Sequence, residues 1–269
     1  SLMGPGVDPH LYQATRSDVR RLMEADVVLF NGLLLEGKMT DALQRLRRQG
    51  RIVRAVAESV AEAERLEKAG DAGETDPHLW MNPALWTGVV ESIHAALAEA
   101  APAREGEMAS RAATYLDEVE RLDAYAERVL ATVPEDQRVL ITAHDAFNYF
   151  GKRYGFEVLG IQGISTESEA GLLQIERLVD TIVDRGIPAV FVETTVSDRN
   201  IRALLEGAKA RGHGVRIGGS LFSDAMGAPG TYEGTYLGMI DHNVTTIARA
   251  LGGEAPERGM DGRLTDDAR

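Results

Sequence analysis

The longest helical pattern in the chain covers residues 103–132 and reads AREGEMASRAATYLDEVERLDAYAERVLAT. Apolar residues recur in it every three or four positions, as Leu116, Val119 and Leu122 do. This spacing predicts one amphipathic helix of roughly eight turns, about twice the usual helix length or more. The pattern contains no proline, and Pro134 follows it. We therefore expect a single long helix to separate the two halves of the chain.

Short apolar segments alternate with helical patterns on both sides of this helix. Strands are predicted at 27–30, 52–56, 139–142, 158–161, 189–192 and 215–217. Their continuous apolar character is typical of strands buried on both faces, and the alternation with helices predicts parallel sheets. We therefore predict an α/β fold with two parallel-sheet lobes joined by one long backbone helix. The predicted boundaries are 4–102 for the N-terminal lobe, 103–132 for the helix, 133–253 for the C-terminal lobe and 254–269 for a frayed tail.

Composition excludes several classes of function. The 269 residues carry 42 acidic and 29 basic side chains, a formal charge of −13, which argues against nucleic acid or an anionic membrane as the main partner. There is no cysteine, so disulfides, thiolate nucleophiles, zinc–thiolate sites and iron–sulfur clusters are excluded. A phosphate-binding loop and a Gly-x-Ser-x-Gly nucleophile motif are also absent from the sequence.

Three of the six histidines occupy positions suited to metal ligands. His10 and His78 each follow an Asp-Pro pair just ahead of a predicted helix, where the proline stiffens the loop. His144 follows the strand at 139–142, at the end of a parallel strand where open α/β folds place ligands. Because imidazole is the commonest ligand for transition metals, the three together indicate a metal site.

The other histidines have ordinary structural explanations. His94 lies inside a predicted helix, and His213 lies in a Gly-His-Gly turn where we expect it to be solvated. His242 lies in the final predicted helix beside Asp241, and we expect it at the surface or in a capping position.

Three carboxylates stand near these candidates. Asp224 is reached by the segment that leaves the last strand and is a fourth candidate ligand, although alone it would more often be a turn or cap residue. Glu193 ends the strand at 189–192 and either hydrogen-bonds a ligand histidine or caps the next helix. Asp76, two residues before His78, either orients that ring or forms an Asx turn.

Five motifs, in order along the chain, resemble those of one known family. They are GVDPH at 6–10, NGLLLE at 31–36, DPHLW at 76–80, HDAF at 144–147 and LFSD at 221–224. With them the chain resembles, from residue 4 to about 253, the metal-binding lipoproteins of manganese, zinc and iron ABC transporters, the cluster A-I solute-binding proteins.

The resemblance implies a fold and a ligand set. The fold is two α/β lobes on one rigid helix, with a single metal ion between them. The implied ligands are His10 and His78 from the first lobe and His144 and Asp224 from the second, with Glu193 behind them. A histidine at 144 is similar to members that bind zinc or manganese, and iron is less expected. The acidic stretch at 61–75 is short and has no histidine, unlike the loop of typical zinc-uptake members.

The resemblance also implies a function and a location. We expect an extracytoplasmic solute-binding protein, periplasmic or lipid-anchored, that is not an enzyme and delivers its metal ion to an ABC-transporter permease. Neither nucleic acid nor a small organic substrate is expected as a partner. Family members begin with a further strand and helix before the first motif. We therefore expect the signal segment and first strand to be absent from this chain, leaving a sheet edge that favours self-association.

Two other functions stay open at this point. A mononuclear zinc hydrolase would use the three histidines with Glu193 as general base, but Asp224 would close the position that the reacting water needs. A host-surface adhesin is suggested by a label used in the resembling family, and no residue pattern here argues for it.

Overall fold

The computed structural model describes residues 1–68, 74–168 and 170–265, and the chain divides into two compact units. The first unit consists of residues 1–3 and 9–121, and the second of residues 4–8 and the chain from 122 onward. In the described residues the first unit contains one small parallel sheet and the second unit contains two, with helices packed on them, which confirms the predicted α/β class. The exact lobe boundaries that the sequence suggests remain predictions.

The first unit is built on two parallel strands. Its strands are β1 (Val27–Phe30) and β2 (Ile52–Ala55), and its helices are α1 (Arg16–Glu24), α2 (Thr40–Arg48) and α3 (Pro83–Ala100). One core cluster of this unit combines apolar side chains of α1, the turn before α2, α2 itself and both strands, namely Leu22, Val28, Met39, Leu43, Leu46 and Val53. Both strands lie where their short apolar segments predict them.

Helix α4 (Glu105–Leu130) is the long helix expected from the sequence. It has 26 residues, and its residues up to Arg121 cluster with the first unit whereas those from Leu122 cluster with the second. Among the described residues, no helix is both long enough and apolar enough to cross a membrane.

The described residues of the second unit form four strands and four further helices. The strands are β3 (Val139–His144), β4 (Glu157–Gln162), β5 (Ala189–Glu193) and β6 (Arg216–Leu221), and the helices are α5 (Asn148–Tyr154), α6 (Leu172–Arg185), α7 (Arg199–Ala210) and α8 (Tyr236–Ala250). β3 pairs with β4 and β5 pairs with β6, both in parallel, and β3 lies beside β5. Short 3₁₀ turns occur at 37–39, 56–59, 62–64, 79–81, 102–104 and 135–137.

Strand β6 continues beyond the point that the sequence suggested. We expected the strand to end at Ile217, but it runs to Leu221 through two glycines. A Cβ on Gly218 would lie 2.7 Å from the ring of Phe191, and Gly219 has a positive φ of 154°. The glycines therefore allow close packing within the strand instead of ending it. As a result, β6 carries the chain almost to Asp224.

The C-terminal tail, which the sequence analysis expects to be frayed, contacts the second unit in its described part. The backbone N–H of Met260 donates to both carboxylate oxygens of Asp241, 3.0 Å from each. The Arg263 guanidinium lies 4.1 Å from the centre of the Tyr232 ring, and Leu264 is buried. A buried carboxylate needs donors, and the tail supplies one to the second unit. Residues 266–269 of the predicted tail lie outside the described residues.

Candidate metal centre

Two histidines of the first unit face each other, and we call them the first donor pair. The Nε2 atoms of His10 and His78 are 3.3 Å apart, and both side chains are buried. Zinc–nitrogen bonds of about 2.0–2.1 Å at a tetrahedral angle place two ligand nitrogens about 3.3–3.4 Å apart. The spacing of this pair therefore fits one edge of a metal coordination sphere.

His78 is oriented by a carboxylate of its own loop. One oxygen of Asp76, Oδ1, accepts hydrogen bonds from the backbone N–H of His78 at 2.9 Å and from its Nδ1 at 2.7 Å. Both side chains are fully buried. With Nδ1–H donating to a carboxylate, the lone pair of Nε2 is directed at His10. The two roles considered for Asp76, ring orientation and an Asx turn, are both present.

The loop before α2 is strained and contacts the loop of His78. Residues 32–34 all have positive φ, at 87°, 53° and 64°, although the last two are leucines. The carboxylate of Glu36 accepts the backbone N–H groups of Asn31 and Gly32, at 2.7 and 3.1 Å. The Asn31 side chain donates to the carbonyl oxygen of Pro77 at 3.1 Å. Strain of this kind is kept only where surrounding contacts over-determine the backbone.

The second unit holds its own pair, which we call the second donor pair. Nε2 of His144 lies 3.1 Å from Oδ2 of Asp224, and neither side chain has exposed surface. His144 is the last residue of β3, and Asp224 follows the end of β6. Both donors therefore sit at carboxyl ends of parallel strands, where the sequence argument placed them. Their spacing also suits two ligands of one metal ion.

Glu193 at the end of β5 supports His144. Its Oε1 accepts the backbone N–H of His144 at 2.9 Å, and its Oε2 pairs with Nδ1 of the same residue at 2.6 Å. Of the two roles that the sequence left open for Glu193, the structure contains the hydrogen bond to the histidine. The following helix α7 begins after Asp198 instead.

The charge around His144 favours a bound proton in the metal-free protein. Burial lowers the pKa of His144, but the negative carboxylates of Glu193 and Asp224 outweigh burial and raise this pKa well above its usual value. A metal ion that binds Nε2 must therefore displace a proton.

The remaining histidines do not contribute to either pair. His213 bonds the carbonyl oxygen of Ile187 at 2.9 Å and is only partly exposed, so its predicted solvation is at best partial. His242 was expected at the surface or in a capping position, but its side chain is buried and its Nε2 lies 2.8 Å from the carbonyl oxygen of Ser220 in β6. Burial lowers the pKa of His242, so the ring stays neutral and donates this hydrogen bond.

Sequence reasoning missed one residue next to the second donor pair. The side chain of Asn243 in α8 hydrogen-bonds both backbone groups of Phe222, two residues before Asp224. An asparagine inside a helical pattern has no signature of such a role. The contact exists only because the tertiary fold brings α8 against the end of β6.

Each of the two α/β units holds two close, buried side chains of types that bind metal ions, as expected of a metal-binding solute-binding protein. The family model described as "Zinc-uptake complex component A periplasmic" matches residues 1–250. The chain belongs to this family, whose members are metal-binding components of ABC transporters.

Individual relatives differ in the metal that their names give. The manganese-binding lipoprotein MntA of Bacillus subtilis is 49% identical over 93% of this chain and 81% of its own length. The zinc-binding protein TroA of Treponema pallidum is 47% identical over 93% of this chain and 80% of its own length. The solved structure of that TroA matches with a TM-score of 0.90 over 93% of this chain and 89% of its own. The iron-binding protein YfeA of Yersinia pestis is 29% identical over 94% of this chain and 78% of its own length.

Proposed function

We propose that the protein captures one zinc or manganese ion outside the cytoplasm and delivers it to the permease of an ABC transporter. His10, His78, His144 and Asp224 bind the ion together. The observation that carries this proposal is that each unit holds two buried donor atoms only 3.1–3.3 Å apart. In both units a carboxylate fixes the far side of a donor histidine.

Neither donor pair forms a complete site alone. Closed zinc sites use four protein ligands, and each unit supplies two. Joining the two pairs gives three neutral imidazoles and one carboxylate. The ion's remaining positive charge is offset by Asp76 and Glu193, which hydrogen-bond the ligand histidines from behind.

The donor set suits both proposed metals. Imidazole favours zinc, whereas carboxylate oxygens are good ligands for manganese. The general order of affinities places zinc above manganese at such a site, so isolated protein is expected to carry zinc if both metals are present. The named relatives include a manganese-binding and a zinc-binding protein at nearly equal identity.

We propose a binding protein and not an enzyme. The comparisons give the hydrolase alternative no support, and both oxygens of Glu193 already accept hydrogen bonds from His144. The proposed location is the periplasm or, through a lipid anchor, the outer face of the cytoplasmic membrane, since the relatives are named as lipoproteins or periplasmic proteins. The permease is the proposed partner, and neither nucleic acid nor a small organic substrate is required.

The test is metal content measured by elemental mass spectrometry on protein purified without a metal-affinity column. The wild type and the matched control His94→Ala are expected to carry about one equivalent of zinc or manganese, and His144→Ala to lose most of it. A wild type with no metal, and no thermal shift on adding zinc or manganese, would contradict the proposal. Ester hydrolysis by the metal-loaded protein that Glu193→Gln abolishes would favour the hydrolase instead.

A further inference from the structure

The backbone that leads to Asp224 leaves its sheet where β6 ends, at Leu221. The last paired residues are Glu193 on β5 and Leu221 on β6, and the N–H of Thr194 donates to the Leu221 carbonyl oxygen at 3.2 Å. The next peptide groups, at Phe222, need other hydrogen-bond partners because this part of the chain is largely buried.

Asn243 supplies both partners from helix α8. Its Oδ1 accepts the N–H of Phe222 at 2.9 Å, and its Nδ2 donates to the Phe222 carbonyl oxygen at 2.7 Å. The side-chain amide thus makes the two hydrogen bonds that a neighbouring strand would otherwise make to Phe222. The two partners fix which way the amide points, since each of its ends can satisfy only one of them.

The residues around this contact are also held. Asn243 is 1% exposed, and the neighbouring His242 donates to the carbonyl oxygen of Ser220 at 2.8 Å and packs its ring 4.8 Å from that of Phe222. On the other side, the hydroxyl of Ser223 lies 3.2 Å from that of Thr195. The two residues before Asp224 are therefore each contacted by a side chain from a distant part of the chain.

We infer that Asn243 is a positioning residue that holds the 222–224 segment in the metal-binding conformation before the ion arrives. This inference rests on the proposed role of Asp224 as a ligand. A free segment would lose backbone entropy on binding, of order 1–2 kcal/mol per residue ordered. The contacts of Asn243 order the segment during folding, so this entropy is not lost again when the metal binds. The Asp224 carboxylate is then already in place, and release of the metal ion is slowed.

The test compares Asn243→Ala with Tyr154→Phe, a control in the same unit. Tyr154→Phe removes a part-buried hydrogen bond to Asp123 without touching the ligand segment. Amide hydrogen exchange at Phe222 is measured in the metal-free proteins, and zinc affinity and release are measured by chelator competition. For Asn243→Ala we expect faster exchange at Phe222, zinc binding weakened by about 10–100-fold and faster release. The control is expected to match the wild type in all three.

A gentler variant, Thr195→Val, guards against misfolding of Asn243→Ala, and Asn243→Asp tests the hydrogen-bond pattern directly. Thr195→Val removes the hydroxyl contact to Ser223 and is expected to weaken zinc binding a few-fold, in the same direction. Asn243→Asp keeps the acceptor for the Phe222 N–H but turns a carboxylate oxygen toward the Phe222 carbonyl, so it is expected to lose at least as much affinity as Asn243→Ala.

The outcomes separate this inference from the function on which it rests. If the wild type binds zinc and Asn243→Ala binds it as tightly as Tyr154→Phe does, the positioning role is overturned but the proposed function is not. Unchanged exchange at Phe222 in Asn243→Ala, or unchanged affinity in Thr195→Val, overturns it as well. A wild type that binds no zinc overturns the proposed function together with this inference.

Discussion

Asp76 in the first unit and Glu193 in the second make the same two hydrogen bonds to a donor histidine, yet they reach it by different routes. Each accepts the backbone N–H and the Nδ1 of its histidine. Asp76 is two residues from His78, whereas Glu193 is 49 residues from His144 and lies on another strand.

The difference shows that one chemical task can be encoded locally or through the tertiary fold. A short loop is sufficient to orient His78. His144 is oriented only once β3 and β5 have come together. The two carboxylates also differ in detail, because Asp76 uses one oxygen for both bonds and Glu193 uses one oxygen for each.

Removing a donor from either pair is expected to have the largest effect. His78→Ala and Asp224→Ala should each weaken zinc binding by more than about 100-fold, beyond the usual effect of changing a supporting residue. The reason is that both pairs are needed for four ligands. Chelator competition measures the affinity, with His213→Ala as the histidine control. Wild-type affinity in either donor variant would show that one pair suffices.

Replacing each supporting carboxylate by its amide should show whether Asp76, which acts within one loop, and Glu193, which acts from another strand, contribute differently to zinc binding. In Asp76→Asn the amide oxygen can still accept both bonds, so the Nε2 lone pair of His78 is kept. In Glu193→Gln the amide must turn its NH₂ group toward either the backbone N–H or Nδ1 of His144, which breaks a bond or protonates the ligating nitrogen.

We expect Glu193→Gln to weaken zinc binding by about 10–100-fold and Asp76→Asn by less. Metal titrations of both variants beside the wild type measure the difference. Equal losses of zinc affinity, or a larger loss for Asp76→Asn, would contradict the argument that the number of carboxylate oxygens used decides the effect.

The pH dependence of binding should be dominated by the second pair. Burial lowers the pKa of His144, but Glu193 and Asp224 raise it further than burial lowers it. The proton therefore stays on His144 until pH passes that raised pKa, and below it the zinc affinity should fall about tenfold per pH unit. Calorimetry in buffers of different ionisation enthalpy should detect proton release on zinc binding at pH values below the raised pKa of His144.

His144 should also make the stability of the metal-free protein depend on pH. Because the folded pKa of His144 is raised, its ion pairs stabilise the fold fully below the unfolded pKa of about 6.5 and are lost as pH rises through the folded value. Chemical denaturation of the metal-free protein across this range checks the sign. In His144→Ala both the proton release and this part of the pH dependence should vanish, and their persistence would assign them to another group.

The smallest expected effect concerns backbone strain in the first unit. In the described part of the chain, Leu33 and Leu34 are the non-glycine residues with positive φ, and Leu34 is 65% exposed. Asparagine tolerates this conformation better than leucine, so Leu34→Asn should raise the free energy of unfolding by about 0.5 kcal/mol. Thermal denaturation measures the change. Leu172→Asn, at an equally exposed leucine with ordinary φ, should give no gain, and a gain there would remove the strain explanation.

The fold was predictable because its signals are local. The strands at 27–30 and 52–56 and the long helix follow directly from hydrophobic spacing. The predicted end of the last strand failed at Gly218 and Gly219, since their tight packing against Phe191 and Thr246 is a property of the assembled unit. The burial of Asp241 and His242 was missed for the same reason, because helical periodicity does not reveal which neighbours cover a polar side chain.

Among the candidate ligands and their supporting residues, those with local sequence signals could be predicted and those that depend on tertiary contacts could not. His10 and His78 stand in Asp-Pro-His triplets, so the sequence displayed both the histidine and, for His78, its supporting carboxylate. Glu193 could be named but its role stayed open between two alternatives, because the contact to His144 crosses strands. Asn243 could not be named, since nothing in its own neighbourhood distinguishes it.

The central claim is that one ion is bound jointly by one pair from each unit. Crystals grown with zinc, and separately with manganese, would be measured by anomalous diffraction at the edge of each metal. The account predicts a single anomalous peak per chain, about 2.0–2.3 Å from donor atoms of His10, His78, His144 and Asp224. Two peaks, or one peak bound by a single pair and completed by water, would contradict it.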